Sequence, residues 1–160
     1  MAASPGKPPG VFHAGAGADH AAGSARAWPT LESLLVDALS ALETRDTLAL
    51  ERMSFGREEF LKIYHRIETD TSRSRREFVT SYFLSDNRKL LNRHLERRGG
   101  HPATLLRFAV EGPVEDHDGL VLHRGLRIWI KIRDGEEELR FFKSAAKSEA
   151  GWKIWSFSDG

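Results

Sequence analysis

The stretch Glu149-Ala150-Gly151-Trp152-Lys153-Ile154-Trp155-Ser156-Phe157 decides how the rest of the chain is read. A glycine-containing turn followed by alternating large side chains predicts a closing β-hairpin whose last strand is Trp152 to Phe157. Upstream, the same period of two predicts a first strand over Ala103 to Val110 and a second over Leu120 to Ile132, with Gly125 marking a bulge inside it. Asp134-Gly135 is a hairpin turn signal that returns the chain through Glu138 to Ser144. Glu111 to Asp118 is polar and reads as a loop. The result is a meander of four antiparallel strands.

Before Gly99-Gly100 the period is near 3.6. Thr30 caps a helix whose Leu31, Leu34, Leu35, Ala38, Leu39 and Leu42 share one face. Asp46 opens a short helix through Leu48 and Leu50 to Met53. A third helix starts near Arg57, with Glu58 and Glu59 in its first turn where the dipole favours acid, and buries Phe60, Ile63, Tyr64 and Ile67. Thr69 to Arg76 reads as a turn or a loose helix start, followed by a stripe of Phe78, Val79, Tyr82 and Phe83. Ser85 or Asp86 then caps a further helix with Leu90, Leu91, His94 and Leu95, and Gly99-Gly100 ends it. Helices followed by an antiparallel meander predict an α+β domain, with the helices packed on one face of a curved sheet.

With 160 residues, 40% of them hydrophobic and 29% charged, one globular domain is expected. The 24 basic and 23 acidic side chains leave a net charge of +1, so no whole-molecule field selects nucleic acid, an anionic membrane or an acidic substrate. The absence of cysteine excludes disulfides, thiolate nucleophiles and cysteine-ligated metals. No apolar run approaches the roughly 20 residues that span a bilayer, so membrane insertion is not expected. Residues 1–28, rich in Ala, Gly and Pro, read as a flexible tail ahead of a single domain over 29–160. Such a tail suits a frayed cytoplasmic terminus, or the spacer of an exported protein if a leader has been trimmed from it.

Ala41-Leu42-Glu43-Thr44-Arg45-Asp46 leading into the second helix, and Gly151-Trp152-Lys153-Ile154 at the end, resemble the nuclear transport factor 2-like superfamily over roughly Thr30 to Phe157. The resemblance implies a cone, in which a bent antiparallel sheet wraps the first helix around an open pocket, with the helical 69–100 segment as an insertion. That fold hosts isomerases, dehydratases, cyclases and non-catalytic binding domains, so it does not name a reaction.

Strict alternation places Leu126, Ile128, Ile130 and Ile132 against the helices, and Arg127, Trp129 and Lys131 on the other face. On the last strand it sends Trp152 and Ile154 to the core and Lys153, Trp155 and Phe157 outward. Trp129, Phe142, Trp155 and Phe157 then form an aromatic outer face, which predicts a homodimer contact of the kind common in the resembling superfamily.

Chemistry is sparse. No nucleophile elbow, phosphate loop or His-Glu-x-x-His helix is present, and the seven histidines lack metal-site spacing, so neither a metal nor a cofactor is expected. Glu115-Asp116-His117-Asp118 is a local acidic cluster that reads as a solvated loop. Four polar groups on or beside apolar faces are the candidate pocket residues: Tyr64, Tyr82, His94 and His123. A partly buried imidazole titrates near neutral pH and can act as acid or base. As a helical capping position explains Asp86, no carboxylate partner stands out. Between positions 73 and 98 eight basic side chains face three acidic ones, and Arg88, Lys89, Arg93, Arg97 and Arg98 make an anion patch. Without interleaved aromatic residues it does not read as a nucleic-acid platform.

The leading expectation is a non-catalytic, homodimeric domain binding a small organic ligand or a protein partner. The alternatives are a cofactor-independent isomerase, dehydratase or cyclase using His94 or His123 as base with Tyr64 or Tyr82 on an oxyanion, and an anion-responsive regulatory surface.

Overall fold

The computed structural model describes residues 27–160. The tail read over residues 1–28 lies outside the described residues up to Arg26. Trp28, at its end, belongs to the domain. It is buried, exchanges backbone hydrogen bonds with Trp152 at 2.9 and 2.7 Å, and donates its indole N–H to Asp37 at 2.7 Å.

Among the described residues four helices, α1 (Leu31–Glu43), α2 (Thr47–Met53), α3 (Arg57–Ile67) and α4 (Arg73–Arg98), precede seven strands. The strands are β1 (Thr104–Val110), β2 (Val114–His117), β3 (Leu120–Arg124), β4 (Leu126–Ile132), β5 (Gly135–Leu139), β6 (Phe142–Ser148) and β7 (Gly151–Phe157). They form two antiparallel sheets, ordered β1-β4-β5 and β2-β3-β6-β7. The α+β class is as the sequence predicts.

The helix starts follow from local hydrogen bonding. Thr30 and Ser33 form a reciprocal box, in which the Thr30 hydroxyl accepts from Ser33 N–H at 3.0 Å. Asp46 accepts from Ala49 N–H at 3.0 Å to open α2. Glu59 reaches back to Gly56 N–H at 3.3 Å at the start of α3.

Three expectations are corrected. The second cap foreseen at Ser85 or Asp86 is absent: the turn read over Thr69 to Arg76 is a bend and loop through Ser72, and from Arg73 α4 is one 26-residue helix in which Ser85 and Asp86 are interior positions. No Gly or Pro lies between Arg73 and Arg98 to break it, and Ser and Asp lower helix propensity without interrupting the ladder. Secondly, the four-strand meander is seven strands in two sheets. Gly125, in a left-handed conformation at φ 68°, divides the predicted second strand into β3 and β4. A Cβ there would collide with the backbone of Gly112, so the close crossing of the two sheet segments requires glycine. The polar run after β1 contains β2, whose hairpin with β3 turns at Asp118-Gly119.

The third correction concerns the aromatic outer face. Trp155, Phe157 and Phe142 are all buried within the one chain. The second sheet carries helices on both sides, because α1 packs with Ala145, Ile154, Phe142 and Phe157, whereas α3 covers Leu120, Leu122, Ala146 and Trp155. The phase error has a local cause. Ala145 pairs with Ile154 and Ser144 with Ser156, which leaves Trp155 as an extra residue in β7. Phe142 pairs with Phe157, which leaves Lys143 as an extra residue in β6. These bulges reset the alternation, so Phe157 returns to the α1 side, while Trp155 keeps the face opposite Ile154 and is buried there because α3 and α4 cover it. Of the four rings only Trp129 keeps an outward place, half-buried between the guanidinium groups of Arg107 and Arg127 at 4.7 and 4.9 Å. The predicted dimer contact thereby loses three of its four residues.

Candidate functional site

Helix α4 crosses the α3 side of the second sheet and is fastened to β7 by polar groups. Its inward stripe carries Thr80, Asn87 and His94 at seven-residue spacing, with Leu91 between the last two. The Asn87 amide donates to Trp155 O at 2.8 Å and accepts from Phe157 N–H at 3.4 Å, satisfying two backbone groups of the edge strand β7. His94 Nε2 lies 2.6 Å from Ser158 O. A carbonyl can only accept, so Nε2 carries the proton in the neutral ring.

Asn87 separates two cavities flanking α4. One, of about 430 Å³, is walled by Phe55, Leu84 and Leu91, and the Arg88–Glu51 pair at 3.0 Å lies at its edge. The other, of about 420 Å³, opens between α4 and the bulged ends of β6 and β7. Its apolar wall comes from Ile67, Val79, Phe83, Leu90 and Trp155. The rings behind it are packed, with Phe60–Phe83 centroids 4.3 Å apart and Phe83–Trp155 4.8 Å apart. Lys143 and Arg124 reach it from the sheet, Asp86 from α4 and Asp159 from the C-terminal segment. Arg124 is tied to Glu115 at 2.7 Å, whereas the side chains of Lys143, Asp86 and Asp159 have no ion-pair partner among the described residues. The second cavity is therefore the better candidate site: its apolar wall is preformed and its charges are available.

The structure does not gather the four polar groups chosen from sequence. Tyr64 is buried and donates its hydroxyl to Asp70 O at 3.0 Å. Tyr82 is 65% exposed and is the one member of the four in the α4–sheet cleft. His94 sits against Phe141 at the other end of α4. His123 packs on Trp152 at 4.7 Å, on the side of the sheet opposite Trp155. An acid, a base and an oxyanion donor converging from these positions have no geometric basis.

Of the anion patch, Arg88 pairs with Glu51, Arg98 with Glu137, and Arg93 donates to Asp159 O at 3.4 Å. Lys89 and Arg97 remain exposed. The acidic cluster is likewise occupied: Glu115 binds Arg124 and Asp116 accepts from Gly119 N–H at 2.9 Å. Among the described residues no group of three or more His, Asp or Glu side chains is placed to hold a metal ion, and no helix is long and apolar enough to cross a membrane.

Sequence reading missed Asn87, Arg124, Lys143 and Asp159, and explained Asp86 as a cap. An Asn about three turns from the nearest helix end was the one available hint, since a polar amide at that position needs a partner when buried.

Burial lowers the pKa of His94 below the usual imidazole value of 6.5, with Arg97 and Arg93 adding to the effect against the opposing Ser158 hydrogen bond. The unfolded chain then binds the proton more readily than the folded one, so stability present above pH 6.5 falls as pH drops through the unfolded value. Burial lowers His123 in the same direction. Urea unfolding at pH 7.5 and pH 5.5 is expected to show the loss, and His94→Gln to flatten the part due to His94; an unchanged slope in that variant would refute the assignment.

The chain matches no known family model, no curated protein and no solved structure.

Proposed function

We propose that the protein is a small-molecule-binding domain whose ligand occupies the cleft between α4 and the β6–β7 end of the second sheet. The observation that carries this is the pairing of a preformed apolar wall with unpaired charges around one cavity of about 420 Å³. That volume lies within the range of about 300–1,000 Å³ typical of ligand sites, and a few polar groups on an apolar wall are their usual composition. Binding is favoured over lyase or isomerase chemistry because Tyr64, His94 and His123 lie elsewhere. The nuclear transport factor 2-like resemblance stays our proposal for the fold's affiliation, and the packing of α1 against strands of both sheets supports it.

The test uses anilinonaphthalene sulfonate, an aromatic anion suited to the apolar wall and Lys143. Its fluorescence is expected to rise on binding the native protein, and Lys143→Glu to weaken it by roughly fivefold, as for a partly exposed ion pair. Lys143 is exposed, so the substitution leaves the unfolding midpoint in place. Equal affinity in both proteins would refute this site.

A further inference from the structure

We infer that the ligand of this cleft is a zwitterionic amphiphile, with its anionic group toward Lys143 and its ammonium toward Asp86 and Asp159. This rests on the binding reading above and adds the chemical class. The cleft divides its charges by wall. Lys143 and Arg124 belong to β6 and β3 on the sheet side, Asp86 to α4 and Asp159 to the C-terminal segment.

Opposite charges facing one cavity ordinarily close on each other, and elsewhere this chain does so repeatedly: Arg127 with Glu111 and Glu138, Arg66 with Glu149, Lys153 with Glu59. Within the cleft no ion pair joins Lys143 to Asp86 or Asp159. Two fixed features hold the walls apart. The Asn87 bond to Trp155 O sets the height of α4 above β7, and the bulge that leaves Lys143 without a strand partner sets where its side chain leaves β6.

A ligand with one charge pairs with one wall and presses its apolar body past the opposite charge, stripping water from a group it does not satisfy. A ligand with both charges pairs with both walls while its body covers Val79, Phe83, Leu90 and Trp155. The cleft thus selects against singly charged amphiphiles as well as for the zwitterion.

Three probes of one chain length test this: octanoate, octylamine and ω-aminooctanoate, each titrated against the full chain by displacement of anilinonaphthalene sulfonate and by calorimetry. The expected result is that ω-aminooctanoate binds roughly fivefold or more tightly than either singly charged probe. Lys143→Gln is expected to reduce its advantage over octylamine, and Asp86→Asn its advantage over octanoate. A singly charged probe that binds as tightly as the zwitterion, or ratios unmoved by both substitutions, would overturn the inference while leaving the cleft a binding site if the dye still depends on Lys143. Failure of all three probes and of the dye would overturn both readings together.

Discussion

Trp155→Ala is expected to lower the unfolding free energy by about 4 kcal/mol, whereas Trp129→Ala lowers it by less than about 1.5 kcal/mol. Both rings belong on one solvent-facing sheet surface if strands alternate strictly. In the structure they have different neighbours. Trp155 packs edge-on to Phe55 at 5.3 Å, against Phe83 at 4.8 Å and against Phe60 at 5.8 Å, so truncation opens a cavity among rings that cannot all move in to fill it. Trp129 lies across two arginine side chains whose other bonds, Arg127 with Glu138 and Arg107 with Glu136, persist without it. Urea titration followed by far-ultraviolet circular dichroism measures both. Equal costs would mean that Trp155 is not enclosed by α3 and α4.

The second large effect concerns a lysine buried between α3 and β7. Lys153 Nζ lies 2.6 Å from Glu59, and the two side chains are unequally covered, 4% of the lysine being exposed against 31% of the glutamate. Glu59→Ala leaves the ammonium enclosed with only the face of Phe55, 5.9 Å away, to stabilise it. The cost is expected to be about 3 kcal/mol, or roughly 10 °C in Tm. Lys153→Met keeps the apolar stem and removes the charge. Glu59 then still reaches water and the Gly56 N–H, so the loss is expected below about 1 kcal/mol. Adding Lys153→Met to Glu59→Ala restores most of the stability lost in Glu59→Ala alone. Thermal unfolding of the two single variants and the double variant decides it, and symmetric single losses would contradict the unequal burial.

The cleft depends on the same region. Trp155 forms part of its wall, Lys143 leaves the neighbouring bulge, and Asn87 holds α4 at the height that keeps the cavity open. Stability and binding are therefore coupled here: a substitution that lets α4 settle onto the sheet closes the site, and ligand binding stabilises the folded chain in proportion to its occupancy.

The parts legible in the sequence are those whose cause is local. Thr30 and Asp46 cap the helices that follow them because each side chain reaches a backbone N–H three residues on. The even apolar face of Leu126, Ile128 and Ile130 is read correctly because β4 itself carries no extra residue, the bulge in its pairing with β1 falling on Leu106 of that neighbour. Asp134-Gly135 joins β4 to β5, and Gly99 ends α4, because glycine serves turns and helix ends at little steric cost. The α+β class follows from these elements alone.

What only the tertiary structure decided lies where distant segments meet. Seven strands in two sheets, rather than one meander, come from the crossing of Gly125 and Gly112, positions 13 residues apart in the chain. The burial of Trp155 depends on α3 and α4 covering its face, and the destination of Phe157 on how β6 pairs with β7, because one extra residue reverses the side chains beyond it and no composition records that slip. The candidate site is the furthest from the sequence of all. Asp86, Asn87, Arg124, Lys143 and Asp159 carry no shared motif, and it is the packing of α4 across the β7 edge that assembles them around a single cavity.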